Sequence, residues 1–354
     1  MFSARKISKS HRLCFATLLL FAGPMFASAA RAPVALSTLD FPGAKAAAVY
    51  TVSAAGAPSD PLQAAGDQGG VERDGPSAIQ LTTIDFPEAV PTLSTSPQGI
   101  NSAGDIVGIY VDANRKQHGF LLSHGNFTSI DYPGAVATDA RGINSRGDIV
   151  GAYINAPGGQ QNMHGYLLSH GAFSEVQYPG YLGTIAQRIL ANGNIYGCNH
   201  NTDFMASMHG FVRTAEGYAA IDVPASMNNG ATPDGSTIVG LYTDMMGMTH
   251  GYSIEEGEFT PFDVPGSNFT EGWDINPQGD IVGDFRDTSG KTHGFLRTDD
   301  GYTTIDFPAA TLTVARGINR RGDIVGRYID GMGQQHGFLR ARARESADSN
   351  NSVK

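Results

Sequence analysis

The chain has 354 residues, with 45 Gly, 18 Pro and only 16% charged residues. That mixture is rich in turns and poor in the Glu, Lys and Ala that long surface helices need, which excludes an all-helical protein. Hydrophobic residues make up 41%, including 18 Phe and 13 Tyr, too many for an intrinsically disordered chain, and the formal charge of -10 disfavours nucleic acid and anionic membranes as partners.

Residues 1–30 read as a secretory signal peptide. Arg5, Lys6, Lys9 and Arg12 form a basic start, an apolar stretch runs from Leu13 to Phe26, and Ala27-Ser28-Ala29 supplies a small-residue cleavage site. The apolar stretch is shorter than the ~20 residues of a membrane span and no later segment approaches that length, so a soluble protein in the periplasm or outside the cell is expected, with no membrane span. Removing four basic residues and no acidic one would move the formal charge from -10 to -14. Cys14 would leave with the signal, so Cys198 has no intrachain disulfide partner. Residues 31–81 read as a low-complexity linker in which Leu39-Asp40-Phe41-Pro42 is a stray strand; a decayed additional blade is the alternative.

From residue 82 to 340 the chain repeats. His118, His164, His209, His250, His293 and His336 each precede Gly and then Phe or Tyr, at spacings of 46, 45, 41, 43 and 43, the length of a propeller blade of four short strands. GINSAGDIVG at 99–108 recurs as GINSRGDIVG at 142–151, INPQGDIVG at 275–283 and GINRRGDIVG at 317–326, with weaker copies ending at Gly197 and Gly240. A TIDFP-like segment places aspartates at Asp85, Asp131, Asp222, Asp263 and Asp306, with Gln177 standing in once.

Within a unit, an inner strand around Gly99 to Asn101 meets a tight Asn-Ser-Ala-Gly turn, and Asp105 to Tyr110 forms the second strand. His118 to Leu122 is the third, Gly125 closes a hairpin, and Phe127 to Tyr132 is the fourth, ended by Pro133. The array starts on a fourth strand at Thr82 to Phe86 and ends on a third strand at His336 to Arg340. The leading strand therefore completes the last blade, giving an all-β, six-bladed propeller of four-stranded blades closed by its N-terminal strand. Residues 341–354 read as a disordered tail.

These motifs resemble the secreted bacterial repeats of the HAF family, in the variant HGFL, then IDxPG, then GINxxGDIVGxY. The resemblance covers residues 82–340 and implies an extracellular propeller-like array with no general activity attached to it. The third unit departs most, with Gln177, Ile189-Leu190-Ala191 and Cys198-Asn199-His200 at the motif positions.

One histidine per blade is spread around a ring and cannot converge on one ion, so these residues read as loop anchors bonded to the aspartates that open the same hairpins, Asp112, Asp244, Asp287 and Asp330. His124 and His170 read as solvated turn residues. The hydroxyl column Thr95, Thr138, Thr184, Ser226, Thr270 and Thr313 reads as loop capping. Function is expected where copies differ, on the face carrying the longer loops. There Gln98, Arg141, Gln187, Asn229, Trp273 and Arg316 occupy equivalent positions around the channel mouth, with Arg188 adjacent. Arginines and the single tryptophan suit an anionic or sugar-like ligand through forked hydrogen bonds and ring stacking; the plainer alternative is that they cap the channel and pair with loop carboxylates. Cys198, His200 and Asp203 offer a metal set without a recognised spacing, so no metal and no cofactor is assigned. Met245, Met246 and Met248 form a flexible apolar loop that contacts a partner or packs on a neighbouring loop.

GxSxG, HExxH, P-loop, dinucleotide and calcium-loop patterns are missing from the sequence. The expected function is a secreted, non-enzymatic propeller binding a glycan, an organic anion or an envelope protein at its long-loop face. The competing reading is an extracellular hydrolase or lyase acting on a carbohydrate or lactone at the same mouth, which requires carboxylates or a metal beside the arginines. A purely structural protein of the cell envelope, whose rim binds nothing specific, is the third reading.

Overall fold

Runs of β-branched and aromatic residues punctuated by Asn-, Asp- and Gly-centred turns produce 25 strands and no helix among the described residues. The computed structural model describes residues 49–52, 79–89, 94–156, 163–201, 208–221, 223 and 225–342. Val49–Val52 (β1) and Ile79–Ile84 (β2) come first. Blade 1 is Ser96–Ile100 (β3), Ile106–Val111 (β4), Gln117–Ser123 (β5) and Asn126–Ile130 (β6). Blade 2 is Ala137–Ile143 (β7), Ile149–Ile154 (β8), Met163–Ser169 (β9) and Ala172–Val176 (β10). Blade 3 is Gly183–Ile189 (β11), Ile195–His200 (β12), His209–Thr214 (β13) and Gly217–Ile221 (β14). Blade 4 is Ser226–Ala231 (β15), Thr237–Thr243 (β16), Thr249–Glu255 (β17) and Glu258–Phe262 (β18). Blade 5 is Phe269–Ile275 (β19), Ile281–Arg286 (β20), Thr292–Thr298 (β21) and Gly301–Ile305 (β22). Leu312–Ile318 (β23), Ile324–Ile329 (β24) and Gln335–Arg342 (β25) begin blade 6.

Every blade is an antiparallel meander, and β2 supplies the fourth strand of blade 6. It pairs with β25 from Ile79 opposite Arg342 to Ile84 opposite Gly337. The six-bladed propeller closed by its own N-terminal strand is thus the observed fold. The array extends slightly past the expected limits of 82 and 340, because the closing ladder reaches Ile79 and Arg342. In the segment expected to be a linker, β1 adds a fifth strand to blade 6, with Val49 opposite Thr82 and Val52 opposite Ile79. The strand expected at Leu39–Pro42, the signal peptide and the tail beyond Arg342 lie outside the described residues. No described helix is long and apolar enough to cross a membrane.

The core lies between blades. Val107 of blade 1 packs with Ile130, Ala140 and Tyr166, Val282 of blade 5 packs with Ala315 and Phe338 of blade 6, and Val325 of blade 6 packs with Ile106 and Phe120 of blade 1. Closing the ring therefore buries apolar area at every junction, the last-to-first one included.

The repeated motifs have separate local jobs. Asn101 Oδ1 accepts the backbone N–H groups of Ala103, Gly104 and Asp105 at 2.9–3.0 Å, while its Nδ2 donates to Asn144 O in the next blade at 3.2 Å. Asn144 and Asn319 repeat the stitch, to Leu190 O and Asn101 O. The aromatic of the IDxP segment stacks on the tyrosine ending the next blade's second strand: Phe86 on Tyr110 and Tyr132 on Tyr153, both at 3.6 Å, and Phe307 on Tyr328 at 3.7 Å. Thr95, Thr138, Thr184, Thr270 and Thr313 each accept a backbone N–H from that same segment at 2.8–3.2 Å, which is the capping role expected of the hydroxyl column.

The repeated histidines are bridges. In blades 1, 4, 5 and 6 the ring Nδ1 lies 2.8–2.9 Å from Asp131, Asp263, Asp306 or Asp85, and Nε2 lies 3.4–3.6 Å from Asp112, Asp244, Asp287 or Asp330. The expected hairpin aspartate is thus the longer contact, and the IDxP aspartate the shorter. His164 meets Gln177 Oε1 at 3.2 Å in the blade that lacks the aspartate. His124 and His170 adopt φ of 50° and 51° ahead of Gly125 and Gly171, the left-handed pair a tight two-residue hairpin needs.

Candidate functional site in the central channel

Each innermost strand carries a register shift, and the six residues singled out by their variation are the bulged ones. The ladders skip Gln98, Arg141, Gln187, Asn229, Trp273 and Arg316. A bulge leaves its extra residue unpaired and re-aims its side chain, so the variable position sits at the channel by construction. The glycine, isoleucine and asparagine that follow lead to the short-turn face; the residues before the bulge lie toward the long loops.

The channel is not an open tube. Arg188, the residue after a bulge, crosses it. Its Nη1 donates to Arg141 O at 3.0 Å and Gln187 O at 2.9 Å, and its Nη2 to Gln98 O at 3.2 Å, Arg316 O at 2.7 Å and Trp273 O at 3.5 Å. Its Nε lies 3.1 Å from Asp274 Oδ1. One guanidinium thereby satisfies bulge carbonyls from five of the six blades. Arg188 was expected at the mouth as a ligand contact, but the structure makes it the plug of the channel. On its short-turn side a blind funnel of about 480 Å³ is floored by Arg188 and Asp274. Its collar is one residue per blade: Ile100, Ile143, Ile189, Ala231, Ile275 and Ile318.

Around the long-loop side of the plug the bulged side chains form a chain of contacts. Arg141 pairs with Asp139 at 2.7 Å and donates to Gln187 Oε1 at 3.2 Å; Gln187 reaches Asn229 Oδ1 at 3.5 Å; Asn229 donates to Gly272 O at 3.0 Å. Gln98 turns back onto Ser96 of its own strand. Trp273 donates Nε1 to Asp284 Oδ1 at 2.8 Å, and Arg316 lies over its ring with Cζ 3.4 Å from the centroid. Capping within the channel therefore describes six of the seven residues. Arg316 differs: its Nε–H is buried with no hydrogen-bond partner among the described residues and, unlike the Arg188 Nε, which faces Asp274 at 3.1 Å, it has no carboxylate at ion-pair distance among them.

The residues that complete this cluster were not singled out in the sequence. Glu271 on β19 and Asp284 on β20 are directly opposite in the ladder, which sets two carboxyls side by side. Both are buried. Burial, and then the neighbouring Asp284, pushes the Glu271 carboxyl well above the usual carboxylate range. Asp284 is raised as well, by burial, against the pull of Arg316 and the Trp273 hydrogen bond. Burial brings Arg316 down to about 10, opposed by Glu271, and lowers Arg327. The signal was available in a column-by-column comparison. The position two before the bulge reads Ser96, Asp139, Ile185, Met227, Glu271 and Val314, and its cross-strand partner reads Ile109, Ala152, Cys198, Leu241, Asp284 and Arg327. Charges enter these otherwise uncharged columns only in blades 2, 5 and 6.

Cys198 and His200 share one face of β12 and are fully buried; Asp203 lies outside the described residues. Burial pushes the Cys198 thiol up to about 12, among Ala152, Met163, Ile185 and Met208, which disfavours the thiolate a metal would need. Among the described residues no group of three or more His, Cys, Asp and Glu is placed to hold a metal ion.

No family model matches the chain, and neither does any curated protein. Solved structures of similar architecture include the six-bladed fucose-binding lectin of Aleuria aurantia, 11% identical, covering 75% of this chain and 99% of that one with a TM-score of 0.47. A gluconolactonase of Xanthomonas campestris is 12% identical over 79% of this chain and 99% of its own, with a TM-score of 0.46. The β-propeller domain of the trilobed protease of Pyrococcus furiosus is 9% identical over 78% and 90%, with a TM-score of 0.46.

Proposed function

We propose that the protein is a secreted, non-enzymatic propeller that binds an acidic sugar or a similar hydroxyl-rich organic anion at the long-loop side of its channel. The observation that carries this reading is Arg316, whose Cζ lies 3.4 Å from the centroid of the Trp273 ring and whose buried Nε–H has no hydrogen-bond partner among the described residues. A buried, unsatisfied charged donor costs several kcal/mol by order of magnitude, a cost that a ligand carboxylate would relieve by accepting a fork of N–H bonds. The charge balance points the same way. Arg141 is paired with Asp139, whereas Arg316 and Arg327 share the buried Glu271–Asp284 pair, both of whose carboxyls burial pushes toward the neutral form.

The test is a thermal-shift series with galacturonate and glucuronate against galactose and glucose. Ligands that bind the native state raise its melting temperature. The acids are expected to raise it and the neutral sugars to leave it unchanged, and Arg316→Lys, which keeps the charge and loses the fork, is expected to remove the rise. An equal response to neutral sugars, or an unchanged response in Arg316→Lys, would count against this site.

One observation favours a second reading. Two buried carboxyls facing each other, both pushed above the usual carboxylate range, are a pairing that general acid–base chemistry uses, and Glu271 with Asp284 supplies it beside the arginines. A hydrolase or lyase acting on a carbohydrate or lactone would lose turnover in Glu271→Gln while still binding sugar acids; the absence of any product from lactones and polyuronides with the wild-type chain would rule it out.

A further inference from the structure

Four blades build the turn between their second and third strands in the same way, and that repetition provides an internal control. Asp112, Asp244, Asp287 and Asp330 each accept two backbone N–H groups of their own turn on Oδ1, at 2.8–2.9 Å. In each, the turn closes on a left-handed residue: Arg115, Gly247, Gly290 or Gly333. The positions of Met245, Met246 and Met248 are filled by Ala113, Asn114 and Lys116 in blade 1, by Thr288, Ser289 and Lys291 in blade 5, and by Gly331, Met332 and Gln334 in blade 6. The turn therefore folds without large apolar side chains, and the methionine triplet of blade 4 answers to no demand of the backbone.

It is also exposed. Met245 and Met246 have relative accessibilities of 105% and 87%, and Phe259 on the neighbouring edge strand has 39%. With Val223 and Tyr242 they frame a cavity of about 610 Å³ on the outer part of blade 4. Clustered exposed apolar side chains mark interaction surfaces, and methionine adapts to irregular partners.

Charge indicates which partner. From Val223 to Asn268 the sequence contains Asp234, Asp244, Glu255, Glu256, Glu258 and Asp263 and neither a lysine nor an arginine. In blades 1 and 5 the turn lysine covers the IDxP aspartate, Lys116 on Asp131 at 3.1 Å and Lys291 on Asp306 at 3.8 Å. Met248 replaces that lysine in blade 4, so Asp263, about half exposed, is paired among the described residues with His250 alone, at 2.9 Å. We propose that this turn is a docking surface for a cationic amphipathic segment of another protein, which lays its apolar face on Met245, Met246 and Phe259 and sets a lysine or arginine on Asp263 where blades 1 and 5 supply their own.

The experiment grafts the blade 5 turn onto blade 4 in the full chain, as Met245→Thr, Met246→Ser and Met248→Lys, a sequence the fold already accommodates at this position. Binding of a fluorescein-labelled amphipathic peptide of leucine and lysine, about 18 residues long, is followed by anisotropy at low and high salt. The graft is expected to weaken binding roughly tenfold or more, Asp263→Asn to weaken it mainly at low salt, and the same peptide with glutamate for lysine to bind neither chain. Equal affinity for wild type and graft would overturn the proposal. So would sedimentation showing that the graft turns a dimer into a monomer, because the surface would then belong to a second copy of this chain.

Discussion

Arg188 fixes the state of the channel. Its guanidinium answers carbonyls that five bulges aim inward, and its Nε meets the buried Asp274. Removing one partner of such a pair leaves the other charged and desolvated. Arg188→Met is therefore expected to cost about 3–5 kcal/mol in urea unfolding, and Asp274→Asn in the same chain to return part of that loss; a cost near zero would show that water replaces the plug. A second residue-level expectation concerns pH. His250 lies between Asp263 and Asp244, and although burial opposes its charge, the carboxylates raise it above the ordinary histidine value of 6.5. Its charged form is thus favoured by folding, a contribution complete below pH 6.5 that fades as pH rises through the raised native value. His250→Asn should lower the melting temperature by about 1–3 °C at pH 6, the scale of a partly exposed ion pair, and the gap should narrow toward pH 9. A gap constant over that range would mean the ring acts only by packing.

The strand and turn elements were legible in the sequence because each repeated residue solves a local problem. Asn101 caps its own turn, Gly104 supplies a φ of 99°, and Thr95 caps the incoming loop. The bulges were not legible, since a bulge is a relation between two strands; a column of variable residues revealed which positions face the channel without revealing why. Arg188 was read as a rim residue for the same reason, its partners being carbonyls from distant segments. Glu271, Asp284 and Arg327 went unnoticed because they occupy columns that are uncharged in most blades. The bulge also brings neighbouring inner strands close together. A Cβ on Gly142 would lie 2.7 Å from Gln187 O and 2.9 Å from Arg188 Cα, both backbone atoms of the next blade. Gly142→Ala is expected to destabilise by about 1–3 kcal/mol, the usual cost of overpacking against atoms that cannot swing aside, measured from the urea midpoint. No change would indicate that adjacent inner strands are spaced more widely than described.

At the scale of the whole ring, the charged cluster exists because blades 2, 5 and 6 stand around one axis, and blade 6 is complete only when β2 pairs with β25. That pairing joins residues some 250 positions apart, as in the His336 contact with Asp85, and its core continues into blade 1 through Val325. The count of strand types in the sequence anticipated this closure, whereas the added pairing of β1 on β2 was outside its reach, because the segment around Val49–Val52 carries none of the repeat's motifs. Hydrogen exchange of the full chain, read by mass spectrometry peptide by peptide, tests closure most directly. The amides of 79–84 are expected to be as protected as those of β24, because opening them requires parting the ring. Exchange of 79–84 at the rate of an unstructured segment, with the other blades still protected, would mean an open array and would contradict closure by β2.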